Sequence, residues 1–149
     1  MSLPEKMKLK RLGPITKVRQ QQLDQEASVL TQLKIEKEQL MGELEQTQTS
    51  YINGVNDLNQ QRESNTRLML SVLEHAVDVA KSNWHKVFKE IQEVETQERL
   101  QLKRVVLARQ NVKKIEKLAE KYEHGIQNSE KIKEQKILDE LATQSYVTV

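Results

Sequence analysis

Apolar residues recur every three or four positions between residues 73 and 126. This spacing is the heptad of a coiled coil, in which two inward columns form a narrow apolar seam. A seam of this kind requires a partner helix along its whole length, and at about 1.5 Å per residue it would extend about 80 Å. Two polar residues, Glu98 and Gln101, interrupt it. The seam positions are Leu73, Val77, Ala80, Trp84, Val87, Ile91, Val94, Glu98, Gln101, Val105, Ala108, Val112, Ile115, Ala119, Tyr122 and Ile126.

A weaker seam with the same period precedes it and supplies the expected partner. Its positions are Ile15, Val18, Leu23, Ala27, Leu30, Lys34, Lys37, Met41, Leu44, Gln48, Tyr51, Val55 and Leu58. Pro14 favours the first position of a helix, because its missing N–H would be unpaired there. Asn53 and Gly54 weaken a helix, and residues 56–66 are polar, which indicates a turn. Gly125 predicts a bend in the second helix.

The sequence therefore predicts an all-α fold, a long antiparallel two-helix coiled-coil hairpin. We expect a single domain over residues 1–149. It comprises a flexible basic N-terminus (1–13), helix 1 (14–58), the tip (59–70), helix 2 (71–142) and a tail (143–149). A hairpin centred near residue 65 sets Lys34 and Lys37 opposite residues 93–98. The polar interruptions of the two seams would then meet each other.

Composition narrows the class of protein. The chain has four glycines, two prolines and five aromatic residues, too few for a sheet with its turns. It has no cysteine and no long apolar run, so disulfides, a membrane span and a secretory signal are not expected. We expect a soluble, cytoplasmic, monomeric protein. The three histidines are scattered and no nucleophile–base set occurs, so we expect no metal site, no cofactor and no catalysis.

Two surfaces are candidate binding sites. Apolar residues crowd the turn, and we expect a partly exposed cluster there because helices with one partner cannot bury them all. These residues are Tyr51, Ile52, Val55, Leu68 and Leu70. At the open end, where both termini meet, charged side chains gather. Those singled out are Lys17, Arg19, Lys113, Lys114, Lys117, Glu134, Asp139 and Glu140.

The whole chain resembles FliJ, the small coiled-coil protein of the bacterial flagellar export apparatus, and its injectisome relative YscO. The resemblance rests on length, a basic start, a long helix, a polar turn, a longer second helix and the closing segment 134–142, EQKILDELA. It implies a coiled coil similar to the central stalk of rotary ATP synthases. The open end would enter the hexameric export ATPase, the tip would contact the membrane export gate, and export chaperones would also bind.

Such a protein would lie in the cytoplasm at the inner face of the membrane export apparatus. Two other classes remain open from the residues alone. One is a dimeric coiled-coil scaffold in which two chains pair their long seams. The other is a nucleic-acid binder that uses the basic segments 1–19 and 103–121, although a net charge of +2 does not favour it.

Overall fold

Two long α-helices make up the fold. The computed structural model describes residues 4–64 and 70–147, in which α1 spans Glu5–Glu63 and α2 spans Leu70–Val147, and no strand occurs in these ranges. The helices pack against each other as an antiparallel hairpin, as the sequence predicted. Packing groups the residues of the two helices into two compact units. Unit 1 comprises Met1–Gln25 and Val105–Val149, and unit 2 is Glu26–Arg104.

The seam of α2 is confirmed at every predicted position. All sixteen residues are buried or half-buried. The most enclosed apolar members in unit 2 are Val87, Ile91 and Val94, which pack with Leu40, while Leu33 and Leu44 contact this cluster. In unit 1 the buried residues are Leu12, Val105, Ala108 and Val112. The apolar core is small compared with that of a globular domain. Burial of these side chains still supplies most of the stability of the two helices.

The seam of α1 was predicted correctly at only half of its positions. Leu23, Leu30, Lys37, Leu44, Tyr51, Val55 and Leu58 are buried or half-buried. The alternate column lies one residue earlier than expected, so that Leu40 is 9% exposed and Met41 is 48% exposed. Ala27, Lys34 and Gln48 are exposed for the same reason. Ile15 and Val18 are exposed because the half-buried positions there, Thr16 and Arg19, lie one residue later. A heptad with two leucines at 33 and 40 buries more apolar surface than one with a lysine at 34.

Both ends of α1 extend beyond the predicted limits. The helix begins at Glu5, where the Pro4 carbonyl accepts hydrogen bonds from the backbone N–H groups of Met7 and Lys8, so residues 5–13 are helical rather than flexible. Pro14 lies inside the helix and not at its first position. A proline there costs about 3 kcal/mol, and the burial of Leu12 in unit 1 offsets this cost. At the other end α1 continues past Leu58 to Glu63, because Leu58 is buried.

The helix α2 starts one residue before its predicted limit and runs five residues past it. It is continuous through Gly125, where a bend was expected. The carboxylate of Glu5 occupies the space that a Cβ at position 125 would fill. Glycine at this position therefore serves close packing between the two helices of unit 1, and it does not break the helix.

Polar contacts fix the register within unit 2. Lys37 Nζ lies 3.7 Å from a carboxylate oxygen of Glu95 and 3.5 Å from one of Glu98. The Nε2 group of Gln101 donates a hydrogen bond of 2.9 Å to the backbone carbonyl of Glu26, and it also contacts the Glu26 carboxylate. Both polar residues of the α2 seam are therefore matched by polar groups of α1. The predicted contact of Lys37 with 93–98 is confirmed, while Lys34 is exposed.

The Lys37 contact gives a direct test of the hairpin. A carbodiimide should join Lys37 to Glu95 or Glu98 within one chain, because an amine and a carboxylate less than 4 Å apart are already in contact. Peptide mass spectrometry of the monomer band identifies the joined peptides. The Lys37→Arg variant keeps the positive charge but lacks a reactive amine, so it should lose the crosslink. Crosslinks found only in dimer bands would support the dimeric scaffold.

A second test concerns Gln101, which is 4% exposed. Replacing Gln101 with Leu should raise the free energy of unfolding by about 1 kcal/mol, because an apolar residue in an inward column packs better than a polar one. The same change should broaden the range of oligomers in sedimentation, since a buried polar residue specifies the pairing. The Gln101→Glu control should lower stability, because it sets a second carboxylate against Glu26. A Leu variant less stable than the Glu variant would contradict this account.

Candidate functional site

The aromatic residues near the turn form a short stack in unit 2. The rings of Tyr51 and Trp84 lie 5.6 Å apart at an interplanar angle of 23°, and Trp84 lies 5.5 Å from the ring of His85. Tyr51 and Trp84 are half-buried seam residues from opposite helices, whereas His85 is exposed. Stacked pairs of this kind add about 1 kcal/mol beyond their buried area. Part of the Tyr51 ring is therefore buried in the packing of the hairpin and is not available to a partner.

The other residues predicted at the turn have different environments. Ile52 is 49% exposed and Val55 is half-buried, and both lie within one helical turn of Tyr51. Leu70 is half-buried at the first position of α2. Leu68 lies outside the described residues. Ile52 is therefore the described member that offers the most apolar surface to a partner.

The predicted apolar cluster is divided by the register of the helices. Arg62 of α1 pairs with Glu74 of α2 at 3.4 Å. Leu70 precedes Glu74, whereas Trp84 and the Tyr51 ring follow it, so about 20 Å of α2 separates Leu70 from the aromatic stack. Leu70 does not join Tyr51, Ile52 and Val55 in one cluster. The expectation of a single cluster treated closeness in sequence as closeness in space.

A shallow groove beside the aromatic stack was not anticipated. It has a volume of about 310 Å³, and small side chains of both helices line it. The lining residues are Thr47, Ser50, Ala76, Val79, Ala80 and Asn83. The signal was present in the sequence, because Ala76, Ala80 and Ser50 leave space where larger residues would close the interface.

The basic residues predicted at the open end belong to unit 1. Lys17, Lys113, Lys114 and Lys117 are exposed, and none forms an ion pair with another described residue. Arg19 differs, because it is half-buried in the true seam column of α1 and donates a hydrogen bond of 3.1 Å to Gln22 Oε1. Four of the five predicted cations are therefore free to meet an acidic surface.

Near its start, α1 is held to α2 by contacts of modest strength. Lys6 pairs with Glu130 at 3.7 Å, and the ammonium group of Lys8 lies 5.7 Å from the centre of the Tyr122 ring. One carboxylate oxygen of Glu5 is buried without a hydrogen-bond partner among the described residues. These contacts, each exposed or incompletely paired, mark the end of the paired part of unit 1.

Residues 127–145 at the end of α2, which include the closing segment 134–142, are helical and extend past these contacts. Every residue from 127 to 145 is exposed. Glu134, Asp139 and Glu140 belong to this segment, where Asp139 accepts a hydrogen bond of 3.2 Å from Gln135 Nε2. The charged residues thus share a helix that no described residue of α1 covers.

The end of α2 also exposes apolar residues that are not among the predicted site residues. Ile137, Leu138 and Leu141 are each more than half exposed, and their spacing puts them on one side of the helix. Ile132 is 58% exposed as well. Large apolar side chains at this exposure indicate a contact surface. Loss of the heptad after Ile126, with apolar residues continuing, was the sequence signal for this surface.

The described residues contain no group of three or more His, Asp or Glu side chains able to hold a metal ion. Within the same residues, neither helix has a stretch apolar enough to cross a membrane. The two long packed helices define a two-helix coiled-coil protein.

Comparison with known families makes the class specific. The family described as Flagellar FliJ protein matches residues 7–148, nearly the whole chain. The chain belongs to the FliJ family and is a protein related to flagellar export. FliJ proteins are structural and chaperone components rather than known enzymes. No curated protein and no solved structure matches the chain.

Proposed function

We propose that this protein is a stalk of the flagellar export apparatus that links the export ATPase hexamer to the membrane export gate. The match to the FliJ family over residues 7–148 carries the proposal. In this role the protein acts in the cytoplasm as a monomer, peripherally at the inner face of the membrane export apparatus. It also acts as a general export chaperone or chaperone escort, since exposed helix surfaces can hold other helices.

The ATPase contact is assigned to the end of unit 1 that carries both termini. Support comes from residues 134–145 of α2, which are exposed and lie beyond the Lys6–Glu130 pair, because an uncovered helix can contact several subunits of a ring. The exposed side chains of these residues combine charges with the apolar group Ile137, Leu138 and Leu141. Exposed ion pairs contribute at most about 1 kcal/mol each and exchange easily. Apolar contacts add affinity without fixing one orientation.

The gate contact is assigned to the turn in unit 2. Its apolar surface is assigned to Ile52 and Leu70, together with Tyr51 and Val55. Leu68, which lies outside the described residues, is assigned to it as well. The assignment is supported by the exposure of Ile52, which lies beside the stacked rings of Tyr51 and Trp84. Those two rings already pack against each other within the hairpin. The division between Leu70 and the stack makes this two small contacts rather than one patch.

Removing the closing segment tests the ATPase contact. A chain that ends at Gln127 should keep its melting temperature, because residues 127–145 are exposed. It should lose stimulation of the export ATPase and promotion of hexamer formation. The full-length variant Ile137→Ser, Leu138→Ser and Leu141→Ser should show most of the same loss. Higher salt should weaken the contact of the full chain further, because its ionic part is exposed.

A folded truncated chain that stimulates the ATPase as well as the full chain does would place the contact elsewhere. The matched control is Val29→Ser, an exposed apolar residue of unit 2 that takes no part in the proposed contact. It should leave stimulation unchanged.

A second experiment tests the gate contact. The double variant Ile52→Ser and Leu70→Ser should leave the free energy of unfolding within about 1 kcal/mol of the original, because surface changes have small effects. It should abolish binding to the cytoplasmic part of the gate protein in a pull-down. Trp84→Ala serves as the comparison, and loss of its seam packing should cost about 2 kcal/mol or more. Gate binding that survives the double variant, with Tm also unchanged, would remove these residues from the contact.

A further inference from the structure

From Ser28 to Gln60, part of the outward face of α1 in unit 2 carries no charge. In the observed heptad three columns of α1 point away from α2, and two neighbouring ones hold ten uncharged residues over this range, all of them exposed, before one column reaches Glu63. They are Ser28, Gln32, Ile35, Gln39, Gly42, Gln46, Thr49, Asn53, Asn56 and Gln60. The outer columns of a coiled coil normally hold its charged residues, since nothing else keeps them in water. This face has the amide and small residues of a contact surface instead.

Gly42 lies at the centre of this face and has no role within the hairpin. A Cβ at position 42 would meet no atom within 4 Å, whereas one at Gly54 would meet Val77 and one at Gly125 would meet Glu5. Glycine in the middle of a helix is unfavourable. Gly42 lies on an open, shallow surface of α1 that Glu45, Gln46, Thr49 and Ser50 border. The missing side chain leaves room for another backbone to approach α1 closely.

The rim of the face is acidic. Glu36 and Glu43 flank it on one side, and Glu38 and Glu45 flank it on the other. All four are exposed, and none forms an ion pair with another described residue. The nearby Lys37 is engaged across the interface with Glu95 and Glu98. Lys34 is exposed one helical turn before Glu38 and offsets part of the charge there, which leaves the four carboxylates in excess. The face therefore combines an uncharged centre with a negative border.

We propose that this face, centred on Gly42, docks an amphipathic helix of a partner whose contacting side is small and uncharged and whose flanks carry Lys or Arg. The neutral centre matches the contacting side of such a helix, and the acidic rim matches its basic flanks. A second copy docked symmetrically would bring two acidic rims together, and a nucleic acid would meet carboxylates. This surface is separate from the closing segment, and its centre at Gly42 lies about 15 Å along α1 from Ile52. The proposal does not depend on the ATPase or gate contacts.

Binding of designed peptides to the full chain tests the proposal. One stapled helical peptide carries an Ala, Ser and Gln face flanked by lysines, and its matched partner carries glutamates in place of the lysines. Fluorescence anisotropy should detect binding of the lysine peptide and at least about tenfold weaker binding of the glutamate peptide. Gly42→Leu should weaken binding of the lysine peptide at least about tenfold, because the leucine side chain prevents the peptide from approaching the α1 backbone closely. Circular dichroism should show that this variant melts no earlier than the original, since its Cβ meets open space.

Matched variants separate docking from general attraction. Gly13→Leu changes the other glycine whose Cβ would meet nothing within 4 Å, and it should leave peptide binding unchanged. The double variant Glu38→Gln and Glu45→Gln should weaken binding several-fold at low salt and less at high salt. Such a pattern would support a docked helix with basic flanks.

Three results would overturn the proposal. Equal binding of the two peptides would remove the role of the acidic rim. Equal effects of Gly42→Leu and Gly13→Leu would show that the lysine peptide binds by charge alone. Self-association of the full chain in sedimentation that Gly42→Leu abolishes would assign the face to a second copy.

Discussion

The match between polar groups at one level of unit 2 is the constraint on which the hairpin depends. Apolar seams by themselves allow helices to slide by a heptad, because each step buries a similar set of side chains. Lys37 meets Glu95 and Glu98, and Gln101 meets Glu26. A slip of one heptad would bury these groups without partners. The free-energy cost of doing so is larger than the difference in apolar burial between the two registers. The seam thus provides the attraction, and the polar groups choose one pairing.

The fold could be predicted from the sequence to different extents in the two helices. The seam of α2 has a single reading, because only one choice of columns puts apolar residues at nearly every position. In α1 seven of the thirteen predicted positions are buried or half-buried and the others are exposed, and it is there that Leu40 competes with Met41. Only contact with α2 separates them. The start of α1 was misplaced because Pro14 is a strong local signal, and the burial of Leu12 that outweighs it involves a distant segment.

The candidate surfaces were predictable in composition and less so in arrangement. Exposure of Lys113, Lys114 and Lys117 follows from their outward heptad positions. The sequence predicts Arg19 as part of the charged surface at the open end. It lies instead in an inward column of α1 that the sequence pattern does not reveal. The apolar group at the turn was judged by sequence proximity, and the Arg62–Glu74 pair shows that the register separates Leu70 from Trp84. Surfaces thus depend on pairing details that composition does not contain.

The uncovered part of α2 has a consequence for the energetics of binding. An isolated helix of its length would be marginal in water, because nucleation is unfavourable. Here the paired part of α2 in unit 1 provides the nucleus, and residues 127–145 need only propagate from it. Propagation is close to neutral for each residue. A partner that grips this segment therefore meets a helix already largely ordered and loses little affinity to folding. The same balance makes the segment sensitive to single glycine or proline substitutions, which would uncouple its far end while the hairpin stays intact.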